Sequence, residues 1–481
     1  MKKLLLIVVL DFFLFCPFAV SALHTDGAES SSILLDFTRQ VPAEQLINLL
    51  WTNDGLTQLH KNQEAVFVSQ PQIINLNQAD QFQTFATRLN LTNYDSTLLS
   101  VSVRFSADEN GWKQWQLLKP YHEGMYSDTA WTSELLYLPL EIQYFQLMLE
   151  FHSSFSGLVS PRVKDLRIDF FSPGNMAPLN PEQVKNRFLP GANEDCGCPL
   201  PPIANRTDWN SPDGQNPSCS SPAYAPVTHM IVHHSYTNNT SSNWAATVLA
   251  IWDFHVNTNG WCDIGYNWLI DPNGVIYEGR GGGNNVRGAH FCAKNTATMG
   301  ICMLGTYMDT VPTDAAISSL EQLLTWKSCD SGIDPMTSSL HDPSEKVLPH
   351  ISGHRDGCNT LCPGDKLFNI LPAIRSNVVD SLAMCDSLPA TSVLPTIDLD
   401  VTIYPVPNQG TFFVDWNAER AERATFFLHN SLGKVIWQEE KQILHGLNTI
   451  ELVQQPLASG TYILRLQSAV GMMSRKILIQ H

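Results

Sequence analysis

His354-Arg355-Asp356-Gly357-Cys358-Asn359-Thr360-Leu361-Cys362, followed by Pro363-Gly364, is the stretch from which the rest of this chain is read. It sets a histidine and a cysteine close together and needs a partner. That partner is Met230-Ile231-Val232-His233-His234-Ser235, an apolar run that ends in a histidine pair. Two imidazoles and one thiolate suit zinc, which takes nitrogen and sulfur ligands and, with three of them from protein, keeps a position open for water. An open position suits a hydrolase, because metal-bound water becomes a nucleophile near neutral pH. Spacing alone leaves the pattern loose. Along a strand, Ile231, His233 and Ser235 share one face and Met230, Val232 and His234 the other. Only one histidine of the pair therefore points easily into a given site.

Working outward, strands alternate with helices. Thr228 to His233 reads as a strand. Residues 243–257 read as a helix, with Trp244, Val248, Ile251, Trp252 and His255 recurring at steps of three and four, and Asn259-Gly260 as its stop. Tyr266 to Ile270 and Val275 to Glu278 form a hairpin around Asp271-Pro272-Asn273-Gly274, where Pro presets one turn dihedral and Asn-Gly tolerates the left-handed region. Gly281-Gly282-Gly283 marks a loop and not a phosphate cradle, since no Lys-Ser/Thr follows. Met299 to Leu304 is a short buried strand, and Thr313 to Ser328 a helix. Asp365 to Leu382 is a last helix, interrupted or kinked near Pro372. This alternation implies an α/β domain with a central mixed sheet flanked by helices.

Both flanks differ from this centre. Val101-Ser102-Val103-Arg104-Phe105, Tyr144 to Phe151 and Arg167-Ile168-Asp169-Phe170 are short runs separated by polar turns, which suggests a β-sandwich-like N-terminal domain. Trp112 and Trp115 follow the Asn110-Gly111 turn; aromatic rings there stack on sugars or, as the commoner case, fill a core. Residues 172–227, rich in Pro, Asn, Ser and Gly, read as a linker and an irregular lead-in. Beyond Pro389 and Pro395 the alternating runs near Tyr404, Val435, Tyr462 and Ile477 suggest a small C-terminal β-sandwich. The expected organisation is multidomain: an export signal over 1–22, a β-rich accessory domain over 23–180, a linker over 181–204, the α/β domain over 205–388, a linker over 389–400 and the C-terminal domain over 401–481.

Composition is consistent with that division. Charged residues are 16% and hydrophobic ones 43% of the 481, enough to bury large cores. The formal charge of −17 comes with no basic stripe, which argues against nucleic acid as a partner. Lys2 and Lys3, the apolar run Leu4 to Val20 and the small residues Val20-Ser21-Ala22 read as a cleaved export signal, leaving no transmembrane segment afterwards. Of the 11 cysteines, all but Cys16 lie between Cys196 and Cys385, and export permits them to pair. Cys358 competes with a metal for Cys362.

Ile231-Val232-His233-His234-Ser235, Gly265-Tyr266-Asn267-Trp268-Leu269-Ile270, Gly288-Ala289-His290, Gly353-His354-Arg355-Asp356 and Thr360-Leu361-Cys362-Pro363-Gly364 occur in that order. Together they closely resemble the peptidoglycan recognition protein and type 2 N-acetylmuramoyl-L-alanine amidase family, over roughly residues 205–380. The resemblance implies zinc-dependent cleavage of the amide between the muramic acid lactyl group and L-alanine. It implies His233, His354 and Cys362 as Zn2+ ligands, with His234 either structural or supporting a ligand from behind. Tyr266 is the implied active-site tyrosine, able to donate to a developing oxyanion, and Thr360, which stands where other members carry Lys or Thr, is the second implied catalytic residue, its hydroxyl able to orient water or the oxyanion without supplying a cation. His290 matches a segment that lines the substrate groove, and Trp261 and Arg287 are further candidates for that groove. Members that only bind peptidoglycan typically lack the cysteine, so Cys362 points to an enzyme; binding muropeptides without cutting is the other reading. A zinc peptidase of the His-Glu-x-x-His type is excluded by the lack of that pattern. Residues 103–115 are similar to accessory β-domains that precede some bacterial amidases. Residues 401–481 resemble the sorting domain of the type IX secretion system, which implies that machinery as a partner and a secreted, extracellular or outer-surface location.

Overall fold

A computed structural model describes residues 20–23, 27–76, 81–121, 129–153, 159–185, 197–216, 218–387, 401–406, 408, 411–418, 422–429, 435–453, 457, 459–468 and 472–480. Most of the expected export signal and all of the 389–400 linker lie outside them, as does Cys196. Val20–Leu23 forms a strand against Glu29–Asp36.

Two antiparallel sheets make up the N-terminal part. β1 (Glu29–Asp36), β2 (Gln83–Thr92) and β5 (Arg162–Ser172) belong to an eight-stranded sheet; β3 (Leu99–Ser106) and β4 (Tyr144–Phe151) belong to a six-stranded one. The alternation at 101–105, 144–151 and 167–170 is therefore strand alternation. Ile33, Phe85 and Phe170 from the first sheet meet Val103, Phe145 and Leu147 from the second in one core. Trp112 and Trp115 are not part of it. They flank the Arg104 guanidinium, 5.0 and 4.7 Å from the ring centroids, as half-buried cation–π partners.

The central part is a six-stranded mixed sheet. Its strands are β6 (Ile203–Ala204), β7 (His229–His234), β8 (Trp268–Ile270), β9 (Ile276–Glu278), β10 (Thr298–Met303) and β11 (Ile351–Gly353), in the order β6-β9-β8-β10-β7-β11. β7 lies parallel to β10, with His233 opposite Cys302, and parallel to β11. β8 and β9 are the expected hairpin. Every residue of β7 and β10 is buried, as parallel strands covered on both faces must be. Four helices matter to the site: α1 (Trp244–Asp253), α2 (Asp314–Ser331), the single turn α3 (His354–Gly357) and α4 (Asp365–Ser387).

Met230 and Val232 pack with Leu320, Leu324, Leu371 and Ile374 of α2 and α4. Ile231 points the other way, onto Phe291 and Leu348. The two-residue period thus sends His233 to the face away from α2 and α4. The Thr313 hydroxyl caps α2 by accepting from the Ala316 N–H, and Gly332, at φ 64°, ends it. α4 runs without a break through Pro372, against the expected interruption. Leu367 and Leu371 before the proline, and Ile374 and Val378 after it, are buried in one core, and this stripe holds the helix across the missing hydrogen bond.

On the other face, all ten residues of α1 are buried. One side of α1 meets Leu269, Cys302 and Leu304 of the sheet; Ala28, Phe171 and Met176 of the N-terminal part belong to the same core. A helix with no polar face is one enclosed all round. Beyond residue 400, strands form a three-stranded and a four-stranded sheet around Phe412, Trp416, Phe426 and Leu464. No helix among the described residues is long and apolar enough to cross a membrane.

Candidate active site

His233 stands near the end of β7, His354 opens α3 straight after β11, and Cys362 follows the next turn. One ligand atom from each lies within 4.8 Å of the other two, and all three side chains are buried. His233 Nδ1 is 3.7 Å from Cys362 Sγ, while its Nε2 is 3.0 Å from His290 Nδ1. The Nε2 is thereby engaged, and Nδ1 is the nitrogen offered to a metal. Cys362 Sγ accepts the His234 N–H at 3.4 Å. The donor set fits zinc: two imidazoles and one sulfur, gathered out of water. A second grouping, Cys292, His354 and Cys358, offers no thiolate because Cys292 and Cys358 form a disulfide. That pairing also removes Cys358 as a competitor for Cys362, which forms no disulfide.

The ligand loop is braced from within. Arg355 donates its backbone N–H to Cys362 O at 3.0 Å, its guanidinium to Leu361 O, and Nη1 to Asp365 at 2.6 Å. Thr360 Oγ1 accepts the Cys362 N–H at 3.1 Å. Gly364, at φ 91°, closes the turn against the Tyr307 backbone, where a side chain would find neither the dihedral nor the room. His234 is turned away, its Nδ1 accepting from the Tyr307 N–H at 3.2 Å, in keeping with a structural role.

His290 is not where a groove residue would be. It is fully buried behind His233, and its Nε2 lies 3.3 Å from Thr298 Oγ1. A ligand histidine needs its second nitrogen held, and His290 holds it. The Gly-Ala-His motif marks the residue correctly but does not say that β10 will cover it.

Tyr266 is 2% exposed, with its ring 5.3 Å from that of His233. It lies just before β8 and not on a strand. Behind it, α1 continues into a π-helical turn over Phe254–Thr258 that carries His255; such turns recur at functional sites. His255 Nδ1 accepts the Gly265 N–H at 3.1 Å, and its Nε2 lies 2.6 Å from the hydroxyl of Tyr121, a residue of the N-terminal part. Beneath the loop, the Arg206 guanidinium meets the Asp263 carboxylate at 3.2 Å, both side chains fully buried. Asp263 also accepts from the backbone of Ile264 and Gly281. His255, Tyr121, Arg206 and Asp263 had no motif to mark them; only the placement of charge in apolar surroundings could have.

Trp261 and Arg287 line one groove of about 420 Å³ with Arg280, framed by the Cys219–Cys262 and Cys292–Cys358 disulfides. Arg287 is exposed and Trp261 half-buried. A further disulfide, Cys198–Cys385, ties the lead-in segment to the end of α4.

Residues 223–365, which carry the mixed sheet and the His233, His354 and Cys362 cluster, match the family model described as N-acetylmuramoyl-L-alanine amidase. Over 184 residues the chain is 33% identical to peptidoglycan recognition protein 1 of Bos indicus, covering 38% of this chain and 86% of that one. The chain belongs to the peptidoglycan recognition protein family. It is also 32% identical over 190 residues to the N-acetylmuramoyl-L-alanine amidase of Sus scrofa, covering 38% of this chain and 29% of that protein. The solved structure of wild-type Drosophila PGRP-LB is 28% identical, covering 39% of this chain and 94% of that one at a TM-score of 0.28. Residues 402–480 match the secretion system C-terminal sorting domain. That domain, with the disulfides, fits a secreted or surface protein.

Proposed function

We propose that this protein is an exported, zinc-dependent N-acetylmuramoyl-L-alanine amidase that hydrolyses the lactyl–L-alanine amide of peptidoglycan. The observation that carries the proposal is the gathering of His233, His354 and Cys362 within 4.8 Å of one another, beside the Tyr266 ring. These three residues would hold the zinc ion, which when bound supplies Lewis acidity to the carbonyl and an acidified water. Tyr266 donates its phenolic proton as a hydrogen bond to the oxygen that becomes negative as the carbonyl turns tetrahedral. Thr360 fixes the Cys362 backbone and so keeps the thiolate in place. Trp261 and Arg287 position the stem peptide, whose carboxylates suit a guanidinium. In the overall reaction the lactyl C–N bond breaks, a C–O bond to water forms, and the alanine amine leaves with a proton. The C-terminal domain directs the chain to the type IX machinery. The accessory domain over 23–180 is a two-sheet sandwich built onto the catalytic unit.

The test is digestion of purified peptidoglycan by the full chain, with and without chelator, followed by mass analysis. The expected products are stem peptides with an L-alanine amino terminus, lost on chelation and restored by zinc. Binding without release by the zinc-loaded protein would replace the amidase with a recognition protein.

A further inference from the structure

The N-terminal sheets and the loop after β7 enclose a cleft of about 390 Å³. One wall carries Gln116, Lys119 and Glu134; the other carries Tyr236, Thr237 and Asn238. Glu134, Leu135, Tyr236 and Thr237 also line a narrower pocket that reaches Ser235, His255 and Tyr266. These four residues thus stand between the cleft and the narrower pocket that Tyr266 lines.

We propose that this cleft binds the glycan strand of peptidoglycan, an uncharged chain of N-acetylated hexosamines, and that Gln116, Lys119 and Glu134 determine its specificity. The inference rests on the reading of peptidoglycan as substrate and adds where its sugar lies. The scissile amide joins two chemically different halves. The stem peptide carries carboxylates and matches the groove with Arg280 and Arg287. The glycan offers hydroxyls, acetamido groups and apolar ring faces. The interdomain cleft answers these with an amide side chain on each wall, the Thr237 hydroxyl, and apolar surface from Phe105 and Leu117.

Two features show a built wall. Tyr236 holds φ 59°, a backbone conformation that costs a bulky residue energy. Its hydroxyl nevertheless accepts Lys119 Nζ at 2.8 Å, with the ammonium 5.2 Å from the ring centroid, so the strained residue bridges the two walls. Glu134 is held beside it, its N–H donating to Lys119 O at 2.9 Å. Burial pushes the Glu134 carboxyl up to about 7 against the pull of Lys119. Near neutral pH it is present in both protonation states and can donate to or accept from a sugar. The walls are also fixed in relation to each other. Tyr121 bonds His255, Arg88 Nη1 reaches Thr258 O and Asn259 O at 3.3 Å, and Ser30 Oγ donates to Asp253 at 2.6 Å.

The test uses the full chain. Uncharged β-1,4-linked N-acetylglucosamine oligomers, which stand for the strand without the lactyl carboxylates that peptide removal would free, are titrated calorimetrically into metal-free protein, so binding is read without cleavage. The Gln116→Ala/Lys119→Ala double variant and the isosteric Glu134→Gln are compared with wild type, their folding checked by melting. Expected are binding by wild type, a loss of about tenfold or more in the double variant and a smaller loss in Glu134→Gln. The ratio of activity on polymeric peptidoglycan to activity on a single muramyl tripeptide should fall about tenfold in the double variant. Absence of strand binding by wild type, or variants that bind like wild type, overturns the proposal. Cleavage without strand binding removes this inference alone; strand binding without cleavage removes the amidase reading and leaves this one standing.

Discussion

At the scale of single residues, the cluster sorts into three donors that could hold a metal and the groups that hold those donors in place. Cys362→Ser removes the only sulfur donor of the cluster, and the expected result is loss of stoichiometric zinc and of amide cleavage, read by metal analysis beside a melting curve that keeps its shape. A subtler prediction concerns Gly300. A Cβ there would stand 2.4 Å from the His290 ring, so Gly300→Ala must move that ring off His233. Loss of such a supporting hydrogen bond typically costs about 10- to 100-fold in metal affinity, measurable by competition with a chelating dye. The gathering of His233, His354 and Cys362 was legible in sequence from the motifs, and for His233 the strand period points the same way. The place of His290 was not. Its burial depends on β10 crossing over it, a long-range fact that no local pattern encodes.

At the scale of elements, the loop leading into β8 depends on the Arg206–Asp263 pair. Removing one partner of a buried pair costs about 3–5 kcal/mol because the other charge stays desolvated. Asp263→Asn should therefore lower the melting temperature by about 10 °C, at roughly 2–4 °C per kcal/mol for a domain of this size. A second expectation concerns pH. His229, at the start of β7, is buried near His341 and His350; burial first, and then those two rings, bring its pKa down to about 4. The folded state thus prefers the neutral imidazole. This contribution to stability is full above the ordinary value near 6.5 and is lost as pH falls through about 4. Melting temperature should drop across that window, and His229→Gln should flatten the drop. Strand and helix positions were readable from periodicity, and the hairpin from Pro-Asn-Gly. The unbroken course of α4 through Pro372 was not, because the packing on either side of the proline outweighs its local preference.

At the scale of the whole molecule, the N-terminal sheets are welded to the central α/β domain through α1. A fragment starting at residue 205 would lay bare an apolar helix face, and it should aggregate or melt well below the full chain in light scattering and calorimetry. A chain ending at residue 400 keeps both partners of α1 and should retain the melting transition of the full chain and the amide cleavage proposed for it. The steps of three and four that mark Trp244, Val248, Ile251, Trp252 and His255 in sequence do not reveal that every residue of α1 is buried, with residues 23–180 covering part of it. The warning lay in Trp244–Asp253 itself, whose one charge is Asp253; a helix with no polar side has no side to give to water.

The enclosure of α1 also bears on ancestry. Because Tyr121 meets Phe254 edge to face at 4.8 Å, and Ala86 packs with both, a change of volume on one side must be answered on the other. In a collection of descendants of this gene these positions should drift together. Recombination that swaps either half alone should yield chains that fail to mature, so the two halves are inherited as one gene segment and not as exchangeable cassettes.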